Sequence, residues 1–206
     1  NPDIYVMHAD GSNKRRITSA PGYDGAPFFS PDGQWIVFRT DRQKPERLQI
    51  HVISIDGQNE VAVTDQPEHV NGTPHWHPTK PLLIWTNADH TDPQTAPNYD
   101  LVVMPYTVVD GKFVPGQVTR VTDSPAADVW PVFSPDGTRV VTGGDDGVAF
   151  VWDVATGHPL LRLDPGSAIS GVAFAPDGSA VALGVKGAAL LFPVQLPRRS
   201  EEHTSE

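Results

Sequence analysis

Residues Pro27–Phe38 read PFFSPDGQWIVF, and the same frame returns as PHWHPTKPLLIW from Pro74, PVFSPDGTRVVT from Pro131 and VAFAPDGSAVAL from Val172. In three of the four copies a short apolar run enters Pro-Asp-Gly and a second apolar run leaves it. Proline presets the first turn position, aspartate bonds its own downstream backbone, and glycine takes positive φ without steric cost. The element is therefore a tight hairpin between two strands. The Pro74 copy has Trp76 where the others have Phe29, Phe133 and Phe174, and His77 where they have Ser30, Ser134 and Ala175. Thr79-Lys80 replaces Asp-Gly, so its turn must be built differently.

The motif prolines Pro31, Pro78, Pro135 and Pro176 are spaced by 47, 57 and 41 residues. Repeats of about 40–50 residues made of short strands mark propeller blades. In the first complete unit four strands are predicted, Ala26–Phe29, Gln34–Thr40, Leu48–Ile55 and Glu60–Thr64. The middle two are rich in β-branched and aromatic residues, as strands prefer. Asp56-Gly57, Asp110-Gly111 and Asp146-Gly147 mark further hairpins. Residues 1–18 read as the last two strands of a preceding blade, a pair that recurs with a longer hairpin from Asn98. The predicted organisation is one propeller region over 1–198, with a half blade over 1–18, a blade over 22–66, a blade with insertions over 69–123, a blade over 126–164 and a partial blade over 167–196. The fold class is all-β: a β-propeller of about four to five blades of four-stranded antiparallel sheets. Because propellers close at about 4–8 blades, an incomplete ring is expected, with the true N-terminus lying upstream.

Composition narrows the function. The net charge is −10 and no basic patch is dense enough to follow phosphates, which argues against nucleic acid. No apolar run approaches the ~20 residues of a membrane-spanning helix, so no membrane insertion is expected. There is no cysteine, which removes disulfides, thiol nucleophiles and thiolate metal sites but leaves the compartment open. No Gly-x-Ser-x-Gly elbow and no phosphate-cradling glycine loop is present, so no catalytic residue and no cofactor is assigned. Arg199–Glu206 reads RSEEHTSE, the peptide encoded by AGATCGGAAGAGCACACGTCTGAA, which looks like a sequencing adapter. This segment, 199–206, is expected not to be native; without its one Arg and three Glu the charge of −10 becomes −8.

Two family resemblances follow. DIYVMHADGSNKRRIT, YDGAPFFSPDGQWIVFRTDR and DVWPVFSPDGTRVV, within residues 1 to about 140, resemble TolB-type propeller repeats. TRVVTGGDDGVAFVWDVATGHPLLRLD, residues 138–164, resembles a WD repeat, with Thr142, Asp146 and the Trp152-Asp153 pair at that family's positions. The Gly-His pair of that family is missing, so the network that the family builds from His, Ser/Thr, Asp and Trp is expected to be incomplete. The resemblance implies a non-enzymatic, rigid platform for a protein or peptide partner. TolB-type proteins are periplasmic and linked to envelope complexes and peptidoglycan-associated lipoprotein, which implies an extracytoplasmic location; a cytoplasmic one stays open. Related blades also form the non-catalytic propeller of prolyl-oligopeptidase-like serine peptidases and the whole fold of some metal-dependent polysaccharide lyases. These are the two alternative functions.

Polar residues recur just ahead of the innermost strands. Asp24, Asn71 and Asp128 precede the aligned first-strand prolines by three positions, where a propeller has its channel mouth. With His69 and the neighbouring Glu68 they are the candidate partner-binding residues; the alternative role is to cap their own loops. His75 and His77 are two apart on one strand and share a face, so with His69 or His90 they are the candidate metal ligands of the lyase alternative. The alternative places them at a blade edge and turn. The longest irregular connection is NADHTDPQTAPNYD from Asn87, and long polar loops on rigid scaffolds often carry function. Asp145-Asp146 is read as a solvated hairpin turn, and the recurrent aromatics as blade-to-blade packing.

Overall fold

The Pro-Asp-Gly hairpins form as their chemistry dictates. In the computed structural model, which describes residues 2–123 and 127–194, Gly33, Gly137 and Gly178 all hold φ near +70° (68°, 70° and 70°). Asp32 Oδ1 accepts the Gln34 N–H at 3.0 Å, and Asp136 and Asp177 do the same for Thr138 and Ser179 at 3.0 and 2.9 Å. In the copy lacking Asp-Gly, the His77 imidazole takes over: Nδ1 accepts the N–H groups of Thr79 and Lys80 at 3.1 and 3.0 Å. The adapter-like segment 199–206 lies outside the described residues.

Each hairpin opens a blade. The first blade is an antiparallel sheet in the order β3 (Asp24–Phe29), β4 (Trp35–Thr40), β5 (Gln49–Ser54), β6 (Glu60–Ala62), ahead of which β1 (Tyr5–Val6) and β2 (Arg15–Arg16) form a separate hairpin. The second runs β7 (His69–Trp76), β8 (Leu82–Asp89), β9 (Asp100–Val109). The long β9 then carries two partners, β10 (Lys112–Pro115) on its far half and β11 (Thr119–Arg120) on its near half. The third runs β12 (Val129–Phe133), β13 (Arg139–Gly143), β14 (Ala149–Asp153), β15 (Pro159–Leu163). The fourth is β16 (Ile169–Phe174), β17 (Ala180–Val185), β18 (Ala188–Pro193). All described secondary structure is β, in four propeller blades plus the leading hairpin.

The second strand of each of the first three blades is buried on both faces, and its alternation decides which neighbour each residue meets. Ile36 and Phe38 face Ile4 of the leading hairpin, while Trp35 and Val37 face Trp76, Leu83 and Trp85 of the second blade. Ile84 then meets Phe133 and Val140 of the third blade, and Val141 meets Val181 and Leu183 of the fourth. Trp76 and Phe133 pack backwards onto the preceding blade, and Phe174 lies against the same seam further on. Phe29, at the equivalent place in the first blade, is 56% exposed.

Hydrogen bonds tie the blades at the hairpin end. His77 Nε2 donates to the Gly137 carbonyl at 3.0 Å and Arg139 Nη2 to the Gly178 carbonyl at 3.0 Å, each reaching into the next blade's turn. The β9–β10 hairpin turns at Asp110-Gly111, both at positive φ (50° and 71°), the turn type that matches strand twist. Its Phe113 stacks on Tyr106 at 4.8 Å, lies edge-on to Trp76 and reaches Trp35 of the first blade at 5.6 Å. This clamps the first two blades together.

A paired test separates turn conformation from the blade tie. A methyl at Gly33 would meet nothing within 4 Å, so Gly33→Ala carries only the left-handed backbone cost of about 1–2 kcal/mol. At Gly137 the added carbon would stand 2.2 Å from His77 Cε1. Gly137→Ala is expected to lose at least ~1 kcal/mol more than Gly33→Ala in urea denaturation, because overpacking adds to the backbone cost. Equal losses in the two variants would show that His77 yields freely.

Candidate functional site

The innermost strands β3, β7, β12 and β16 line a central cavity of about 380 Å³. Each carries an irregularity at one place: the register to the second strand shifts between Gly25 and Phe28, Gly72 and His75, Val129 and Val132, and Ile169 and Gly171. In the first three blades the extra residue is not glycine yet sits in the left-handed region: Ala26 at φ 48°, Thr73 at 46°, Trp130 at 58°. Such conformations cost of order 1–3 kcal/mol and cluster where a backbone is shaped for a task. Bulges of this kind re-aim side chains. All three residues border the cavity, with Phe28, Arg39 and His75 beside them.

At the end of the channel opposite the Pro-Asp-Gly turns, the three recurrent polar residues are buried: Asp24 is 2% exposed, Asn71 0% and Asp128 3%. Arg42 Nη2 holds both Asp24 oxygens at 3.0 and 3.1 Å, and Arg42 Nη1 reaches Glu60 Oε1 at 2.6 Å. His51 Nδ1 also meets Glu60, at 2.7 Å. Burial pushes the Glu60 carboxyl up, but His51 and Arg42 outweigh it and hold it below its ordinary value. Asn71 Oδ1 accepts the Trp85 indole N–H at 3.0 Å and an Asn87 amide N–H at 2.8 Å, while Asn71 Nδ2 donates to Gln49 of the first blade at 3.2 Å. Asp128 Oδ1 accepts the Thr142 hydroxyl at 3.2 Å, and Thr142 accepts the Trp152 indole N–H at 2.9 Å. Asp128 thus accepts from the Thr142 hydroxyl, while Asp146 accepts the Val148 N–H of its own turn at 3.0 Å, so the WD-type network is present in part. Asp24 is held from the loop after β4, Asn71 from β8 and the first blade, and Asp128 from β13.

His69 lies at the surface of this mouth, half-buried, with Nδ1 against Asn87 Oδ1 at 3.1 Å. Beside it the loop 90–99 encloses an open cleft of about 470 Å³ lined by His69, Asn87, Asp89, Thr95, Asp100 and Arg120. Asp89 and Asp92 turn inward to Thr91 and Thr95, which keeps both carboxyls below their ordinary range. Asp100 is raised by burial although Arg120 Nη2 stands 2.6 Å away. Glu68 pairs with Lys44 of the first blade at 2.7 Å.

The four histidines considered as ligands serve separate local roles. His77, 1% exposed, uses both ring nitrogens in the turn and the blade tie. His75 packs between Phe28 and Phe133, at 5.7 and 6.3 Å. His90 Nε2 meets Tyr99 Oη at 3.1 Å. Among the described residues no group of three or more His, Asp or Glu side chains gathers as a metal site. Burial lowers the pKa of His75, His77 and His90.

Comparison with known proteins agrees with the blade geometry. Residues 1–104 match the TolB beta propeller domain. The chain belongs to the TolB β-propeller family. Within this TolB-type propeller, residues 115–153 also match the WD domain, G-beta repeat, the stretch that contains the Asp128–Thr142–Trp152 network. The chain is similar to an uncharacterized protein of Agrobacterium fabrum, 31% identical over 87 residues that make up 42% of this chain and 29% of that protein. It is also similar to the Tol-Pal system protein TolB of Bordetella pertussis, 47% identical over 55 residues, 26% of this chain and 12% of the relative. The fold superposes on the crystal structure of TolB from Acinetobacter baumannii with a TM-score of 0.67 at 19% identity, covering 92% of this chain and 45% of that one. The chain thus spans less than a third of the two sequence relatives. No helix among the described residues is long and apolar enough to cross a membrane.

Two measurements test this geometry. Thr142→Val strands the Trp152 N–H and takes one hydroxyl donor from the buried Asp128, and is expected to cost about 1–3 kcal/mol by urea denaturation. Asp128→Asn keeps an acceptor oxygen and is expected to cost less than half of that. The second is pH dependence. The folded pKa of His77 lies below its ordinary 6.5, so the unfolded chain binds the proton more readily. Its contribution is fully present above about pH 6.5 and is lost as pH falls through the folded pKa; His77→Gln is expected to flatten the fall in stability below pH 6.5.

Proposed function

We propose that this TolB-type propeller is a non-enzymatic scaffold that binds a protein partner at the mouth of its channel, in an extracytoplasmic compartment. The observation that carries the reading is the open cleft beneath the loop 90–99, next to His69 and backed by a buried polar network. Rigid backing under an exposed polar loop is how scaffolds present contact groups. Asp24, Asn71 and Asp128 act behind the surface, holding the strand ends from which the mouth loops leave. The contact groups are His69, Asn87 and the loop itself. A relative named as a Tol-Pal system protein supports a partner from the cell envelope, and peptidoglycan-associated lipoprotein is the first to test.

Calorimetric titration with the soluble domain of that lipoprotein is expected to give saturable binding. His69→Ala is expected to weaken it roughly tenfold, the loss of one interface contact worth about 1.4 kcal/mol. A surface change on the far end, Thr156→Ala, should leave it unaltered. Binding that is indifferent to His69 and to trimming of the loop 90–99 would move the contact surface elsewhere.

A further inference from the structure

The central cavity is a different kind of place from the mouth. Its wall is mostly apolar, from Phe28, Pro74, Trp130, Pro131, Val132 and Val172, yet Arg39 stands in it. Arg39 Nε is buried with no hydrogen-bond partner, and among the described residues no carboxylate pairs with the guanidinium, whose neighbour is the Tyr23 ring at 5.8 Å. In a chain of net charge −10 an unmatched cation inside an apolar wall stands out. His75 Nδ1, of another lining residue, is also buried and without a hydrogen-bond partner. Arg39 and His75 both line the cavity, which brings a guanidinium with no carboxylate partner among the described residues and an imidazole to one apolar wall. The left-handed Ala26, Thr73 and Trp130 shape the same wall, and Trp130 leaves 38% of its surface open.

We propose that this cavity binds a small apolar monocarboxylate, its anion paired with Arg39 and its hydrocarbon or aromatic body lying between Phe28, Trp130 and Val172. Guanidinium matches a carboxylate through two parallel N–H bonds, strengthened where water is excluded. Burial lowers the His75 pKa, so the imidazole beside Arg39 adds no second charge to the wall. A volume of about 380 Å³ suits a ligand the size of a phenylpropionate. The site is independent of the partner surface at the mouth.

The test uses 3-phenylpropionate and its neutral analogue 3-phenylpropanamide, followed by NMR at the Trp130 indole N–H. The acid is expected to shift that signal saturably, and the amide to bind at least roughly tenfold more weakly because it lacks the charge. Arg39→Gln, checked for unchanged thermal unfolding, is expected to bind both equally weakly. Equal affinity for acid and amide in the unaltered protein overturns the proposal whether or not the variant folds. So does full retention of acid binding by Arg39→Gln, or a response to peptides with a free C-terminus but none to the small acid.

Discussion

A strand buried on both faces has no solvent side to set its orientation; its neighbours on each side must do so. This constraint governs the molecule. In β4 the residues alternate between the leading hairpin and the second blade, and in β8 between the first and third blades. One residue of slip would send every side chain to the wrong neighbour, so register is fixed by packing on both sides at once. The hairpins make this possible by fixing where each second strand begins.

The polar groups follow from the same constraint. Strand ends that converge on the axis leave polar side chains without water, and each finds a partner across a strand or a blade. Asn71 reaches Gln49, Asp24 reaches Arg42, and Asp128 reaches Thr142. Two aspartates and an asparagine solve one problem at one place in the repeat, each with a different partner.

Much of the fold was legible because its signals are local. Pro-Asp-Gly and Asp110-Gly111 announce turns through their own backbone preferences, and the repeat spacing turns those hairpins into blades. The site was legible in position only. Alignment picks out Asp24, Asn71 and Asp128, but their burial depends on Arg42, Gln49 and Thr142, and nothing in sequence distance advertises those pairings. The bulges at Ala26, Thr73 and Trp130 left no chemical trace, since none of these residue types favours left-handed backbone. Two histidines at strand spacing suggested a metal, whereas His77 stands in for the turn aspartate and His75 lies in an aromatic wedge.

The Phe113 clamp has a consequence for how the molecule breathes. Stacked repeats behave as a chain of units coupled to their nearest neighbours, and they open where that coupling is weakest. Phe113 adds to one seam alone, bridging Trp35 and Trp76, so the first two blades form one cooperative block. Amide hydrogens of β4 and β8 are therefore expected to exchange together, as one unit that spans two blades.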